Sequence, residues 1–192
     1  MTNAFVFIVS TLVDLYLITF VLRILLQWQR ADYRNPLVQF ILTVTNPLVL
    51  PLRRYIPPVY GLDTASLIVA ILIKLATLTL LTSLLCASLP GIPQLLLLTV
   101  FGLIRTLLSL YFFMILISVI MSWVAPGTYN PATALIASLV QPVLAPFRKI
   151  IPPIGGFDIS PVFALIIIQA LMMLVPGSAL LAPYGCSNIG YL

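Results

Sequence analysis

Asp14, Lys74 and Arg105 are ionisable residues set inside long apolar runs, where an acid, an amine and a guanidinium have few polar neighbours except one another. A charge at the centre of a membrane helix costs roughly 2.5–3.5 kcal/mol on insertion scales. Three such residues are therefore expected to face inward, with Asp14 meeting Lys74 near mid-depth and Arg105 about one turn further outward. Three roles fit this charged layer: an ion pair that fixes helix register, a polar path for ions or protons, or a docking site for a partner. The chain offers little else that reacts. It has no histidine and no glutamate, and its only cysteines are Cys86 and Cys186. A structural zinc site takes about four Cys or His ligands, and the commonest general base is missing. Metal binding, cofactor chemistry and catalytic residues are not expected.

A second group of candidates is basic. Arg53-Arg54 and Arg148-Lys149 could hold anionic lipid headgroups or a partner's acidic patch, at about 1 kcal/mol per charge near the surface; the plainer role is to set topology. Arg23, near the end of the first apolar run, is expected to snorkel toward the headgroups. Asp63 and Asp158 read as helix N-caps. Trp28 and Trp123 read as interfacial belt residues, and Tyr16 and Tyr111 as packing positions whose hydroxyls bond across helices. The cysteines are expected as free thiols, with a disulfide open to them in an oxidising compartment.

The elements that position these residues follow from composition. Hydrophobic residues make up 62% of the chain and charged ones 7%, against roughly 25% charged in soluble domains, so the bilayer is the expected solvent. The net charge of +5 is too sparse and scattered for a phosphate-tracking groove, and no nucleic-acid partner is expected. The chain also aligns with itself, without a gap, at an offset of 95 residues. Asn35-Pro36 falls on Asn130-Pro131, Tyr16 on Tyr111, and Trp28 on Trp123. Pro47, Pro51 and Arg53 fall on Pro142, Pro146 and Arg148; Pro57-Pro58, Gly61 and Asp63 fall on Pro152-Pro153, Gly156 and Asp158. At the same offset Asp14 maps to Ser109, Lys74 to Gln169 and Arg105 to Ser10. Each charge thus has an uncharged polar counterpart.

The expected fold is an all-α membrane protein with four transmembrane helices, arranged as two tandem parallel hairpin repeats. Repeat 1 covers 1–88, with spans at 4–27 and 64–88; repeat 2 covers 97–182, with spans at 97–123 and 159–180. Residues 89–96 form an outer linker and 183–192 an outer tail. Between the spans of each repeat, at 35–58 and 130–153, lies an interfacial or re-entrant amphipathic helix begun by an Asn N-cap and Pro and interrupted at Pro47 or Pro142. In the first copy Gln39, Thr43 and Asn46 form its polar stripe. Arg30, Arg34, Arg53, Arg54, Arg148 and Lys149 all lie in these connections, so the positive-inside rule makes them cytoplasmic and puts both termini in the periplasm of an inner-membrane protein.

The motif Asn-Pro, spaced prolines, a basic pair, Ile-Pro-Pro and Gly-(one residue)-Asp, carried by Asn35–Asp63 and again by Asn130–Asp158, resembles the YggT family of bacterial membrane proteins. Two copies are similar to the proteobacterial form, related to the single-repeat YlmG form. The resemblance implies a non-enzymatic multi-pass protein associated with osmotic-stress tolerance. It also implies two alternatives: a channel or transporter subunit for an ion such as potassium, and an assembly or organising factor for other membrane complexes. Plastid relatives are linked to haem attachment or nucleoid organisation; this chain lacks the usual axial histidine, so a haem role would be indirect. Expected partners are the lipid bilayer, anionic headgroups, and a second copy or another membrane protein.

Overall fold

The computed structural model describes residues 2–59, 61–124, 130–150 and 158–186, and over these the chain is helical. Its elements are α1 (Thr2–Trp28), α2 (Pro36–Arg53), α3 (Thr64–Leu85), α4 (Ile92–Val124), α5 (Pro131–Ile150) and α6 (Ser160–Leu174), followed by a 3-10 strap (Ser178–Tyr184). Helices α1, α3 and α4 are apolar on all faces and are long enough to cross a membrane. At 1.5 Å per residue they reach about 33–50 Å, against a hydrocarbon core of about 30 Å.

The fourth expected span is shorter than 159–180. Helix α6 has 15 residues, roughly 22 Å, because Pro176 biases Val175 out of the helical region and cannot donate to the ladder. Val175 is extended, at φ −72° and ψ 115°. Helix α4 instead begins at Ile92, inside the segment expected to be linker, with Pro93 in its first turn, where no N–H is needed. Nor do the prolines interrupt α2 or α5. Pro47 and Pro51, like Pro142 and Pro146, lie inside continuous helices. They sit four apart on the exposed face, so the carbonyls they free point outward, where other donors can reach them.

The termini of these helices follow local chemistry. The Asn35 side chain accepts from Leu37 N at 2.9 Å, and Asn130 accepts from Ala132 N at 3.0 Å, each satisfying an orphan donor of the first turn. α1 ends with Arg30 at φ 51°, Arg30 N bonding Gln27 O and Ala31 N reaching Leu26 O. This is the left-handed cap usually given to glycine. Gly61, at φ 81°, makes the turn into α3.

Both halves assemble alike. The first helix of each packs on the second and third, and the second on the third; α3–α4, α1–α4 and α2–α5 contacts then join the halves. Buried Leu26, Val38, Ile115, Leu139, Leu144 and Ala164 belong to a cluster drawn from both halves; Leu17, Phe20, Val49, Ala65 and Ala70 form another within the first. Apolar contacts gain little against lipid, so close approach at alanines and bonds between helices carry more of the association. Bonds of this kind cross the halves: Asn35 Nδ2 donates to Pro131 O at 2.8 Å, and Gln29 Nε2 to Leu139 O at 3.2 Å. The expected stripe on α2 is only partly outward: Gln39 and Thr43 are exposed, while Asn46 turns inward beside buried Thr45.

The cysteines are not free thiols. Cys86 and Cys186 form a disulfide, because the strap folds back over the α3–α4 connection. Leu181 is buried against Leu78 and Leu98, and Tyr184 O accepts from Ala87 N at 3.1 Å and Ser88 N at 3.4 Å. Trp28 is 61% exposed at the end of α1, as a belt residue should be. The Trp123 side chain, Pro152-Pro153 and Gly156 lie outside the described residues. Reduction, or Cys86→Ser, should free the strap, so that limited proteolysis cuts within 177–186 where the oxidised protein resists; equal resistance would contradict this packing.

Candidate functional site

Lys74 sits midway along α3 with its side chain 6% exposed, and its Nζ donates to Asp14 Oδ1 of α1 at 3.1 Å. The sequence-expected pair is therefore formed. A helix-packed glycine makes room for it: a Cβ on Gly102 of α4 would stand 2.8 Å from Lys74 Cε. The lysine stem thus runs directly across α4 backbone, and one side chain ties α1 to α3 while lying on α4.

Arg105 of α4 lines the same cleft as the pair, but it is exposed rather than turned wholly inward. Asp14, Lys74, Arg105 and Ser109 all line one cleft of about 220 Å³. Arg105 and Ser109 also line a neighbouring cleft of about 590 Å³ between α4 and α6, where Gln169 joins them. Ser10 does not reach either cleft; it is buried and donates to Phe7 O at 3.0 Å. Five of the six layer residues are thus brought together.

Arg23 does not snorkel. It is 3% exposed, and its guanidinium bonds three partners on two elements: Nε to Asp63 Oδ2 at 3.1 Å, and Nη1 to Thr45 Oγ1 at 2.7 Å and Asn46 Oδ1 at 2.9 Å. Asp63 also caps α3, accepting from Ser66 Oγ at 2.8 Å and Ser66 N at 3.4 Å. The pair is fully desolvated yet hydrogen-bonded throughout, the condition under which a buried ion pair is tolerable. A signal was present in the sequence: an arginine inside an apolar run, a Thr-Asn pair on the next helix, and an aspartate opening the third.

The second half solves the same problem differently. Ser118 stands at the Arg23 position, and Asp158 takes its cation from Arg148 at the end of α5, at 2.7 Å. Burial raises the Asp158 pKa, but hydrogen bonds from Ser160 and Arg148, and the Arg148 charge, outweigh it and leave the carboxyl below its ordinary value. Arg53, Arg54 and Lys149 are exposed at the ends of α2 and α5, where they could meet headgroups. Tyr16 Oη approaches Val44 O of α2 at 3.5 Å, as a cross-helix hydroxyl was expected to do.

Two predictions follow from this geometry. Gly102→Val must displace Lys74 and should cost about 1–3 kcal/mol, as overpacking does, read from thermal unfolding in detergent; an unchanged midpoint would contradict the wedge. Because the folded Asp158 carboxyl titrates below its unfolded value, its contribution is present above the carboxylate range and is lost as pH falls through the folded pKa. Arg148→Ala should therefore lower stability at neutral pH and flatten its decline on acidification. An unchanged pH profile would show that the pair contributes nothing.

Comparison with known proteins agrees with the duplication. The description of the CCB3/YggT family matches residues 2–84 and again 97–179. An uncharacterized protein of Pseudomonas aeruginosa is 46% identical over 176 residues, 91% of this chain and 89% of that protein. The Escherichia coli protein YggT, also described as uncharacterized, is 33% identical over 171 residues, 89% of this chain and 88% of YggT. The Porphyra purpurea protein ycf19 is 33% identical over 88 residues, 45% of this chain but 88% of ycf19, the size of one repeat. No solved structure matches significantly. With the family pattern met once in each half, the chain belongs to the CCB3/YggT family of membrane proteins.

Proposed function

We propose that this chain is a non-enzymatic, four-span inner-membrane protein that serves osmotic-stress tolerance as a rigid membrane-embedded organiser of other complexes. In this reading α6 and the strap together complete the fourth span. The connections holding α2 and α5 lie in the cytoplasm, where Arg53, Arg54 and Lys149 meet anionic headgroups or a partner. The termini lie in the periplasm, whose oxidising chemistry suits the Cys86–Cys186 bond. The observation that carries an organising role is the closed Lys74–Asp14 pair, with the lysine held against Gly102. An amine so engaged supports helix register better than a passing ion.

The cleft that Asp14, Lys74, Arg105 and Ser109 line favours a second reading, an ion pathway. Its lining carries two cationic side chains against one carboxylate, which opposes potassium in a medium of low dielectric. Potassium flux into proteoliposomes separates the readings. The organiser predicts the same low flux for wild type and Lys74→Met. Flux in the wild type that disappears in Lys74→Met would overturn it.

A further inference from the structure

The 95-residue offset places two equivalent positions in the bundle, and the first of them holds an ion pair while the second carries uncharged residues. In the first half Asp14 and Lys74 occupy theirs and bond to each other. Their equivalents Ser109 and Gln169 carry no charge and line the cleft of about 590 Å³ with Arg105. The cleft exists because α6 stops at Leu174. Val175, Pro176 and Gly177 form its end wall where further helical turns would otherwise fill the space. Irregular backbone at membrane depth is tolerated where it is packed on protein or lines a cavity, and Val175, Pro176 and Gly177 line this cleft.

The lining is amphipathic in a specific sense. Arg105, Gln169 and Ser109 all offer hydrogen-bond donors, and no carboxylate is among the described residues that line the cleft. A guanidinium carries five N–H donors, so Arg105 can serve an occupant while engaged elsewhere. Beside these groups lie Phe113 and Met173, 56% and 77% exposed on the outer faces of α4 and α6. The polar end therefore opens sideways onto apolar surface that faces lipid. From this arrangement we infer that the α4–α6 cleft binds a single-chain anionic amphiphile, its carboxylate or phosphate on Arg105 and Gln169 and its acyl chain against Phe113 and Met173. Charge-assisted bonds to the head are the strong contacts, and methionine adapts to a flexible chain.

The test is a thermal-shift titration of the full-length protein in neutral detergent with oleate, oleyl alcohol and inorganic phosphate. Oleate should stabilise the wild type saturably; oleyl alcohol and phosphate should not. Arg105→Gln should weaken the oleate midpoint at least about tenfold, the loss of one charge-assisted contact, and Arg34→Gln should leave it unchanged. Met173→Trp, which fills the cleft and keeps every charge, should weaken it as well and stands in if Arg105→Gln does not fold. Equal oleate midpoints in wild type, Arg105→Gln and Met173→Trp would overturn the site. Phosphate acting alone would replace the amphiphile by a free anion, and oleyl alcohol matching oleate would remove the role of the charge; either result overturns the proposal.

Discussion

A charge inside an apolar medium must be neutralised where it stands, and this constraint organises the bundle. Arg23 and Asp63 meet it in the first half by a pair that is nearly inaccessible and bonded at every turn. Breaking such a pair from one side typically costs about 3–5 kcal/mol, because the survivor is left charged and buried. Lys74 and Asp14 meet it a few turns away, with α4 backbone pressed against the lysine stem at Gly102. Each pair joins helices that lipid alone would give little reason to associate.

Duplication supplied two copies of one three-helix unit, and divergence distributed the charges unequally between them. An aspartate opens the third helix of both halves, as the N-cap of α3 at Asp63 but one residue before the N-cap Ile159 of α6 at Asp158, where it still accepts from Ser160 N. Its cation comes from α1 in one half and from the end of α5 in the other. The buried version locks α1, α2 and α3 together; the version at Arg148 is half exposed, and screening leaves it weak. The mid-depth pair survives in the first half and gives way to Ser109 and Gln169 in the second, where α6 also ends early. The second half is thereby the more open of the two, and any small-molecule chemistry is expected there.

Sequence reasoning reached the parts of this arrangement that depend on local patterns. The Asn-Pro caps, the Asp63 cap and the three long spans follow from residue type and run length, and the Asp14–Lys74 contact follows from the cost of leaving either charge in lipid. Asp158 falls one residue short of the N-cap Ile159. What was not legible depends on tertiary geometry. Arg23 looks like a snorkelling residue until α2 turns Thr45 and Asn46 toward it. Cys86 and Cys186 look unrelated at the repeat offset until the strap folds over the α3–α4 connection. The prolines of α2 and α5 look like breaks, yet sharing one outward face at four-residue spacing makes them tolerable. Pro176 acted in the opposite way and ended α6, by biasing Val175 out of the helical region before the 3-10 strap begins.

The central claim is that interior charges hold the helices in register by neutralising one another. A double-mutant cycle on Asp14 and Lys74, read by thermal unfolding in detergent, tests it most directly. The account predicts that Asp14→Leu costs the most, because it strands an ammonium that is 6% exposed, and that Lys74→Met costs less. It predicts that the double variant recovers much of the loss, with a coupling of about 1–3 kcal/mol. Strictly additive losses would contradict it, since each residue would then be acting without the other.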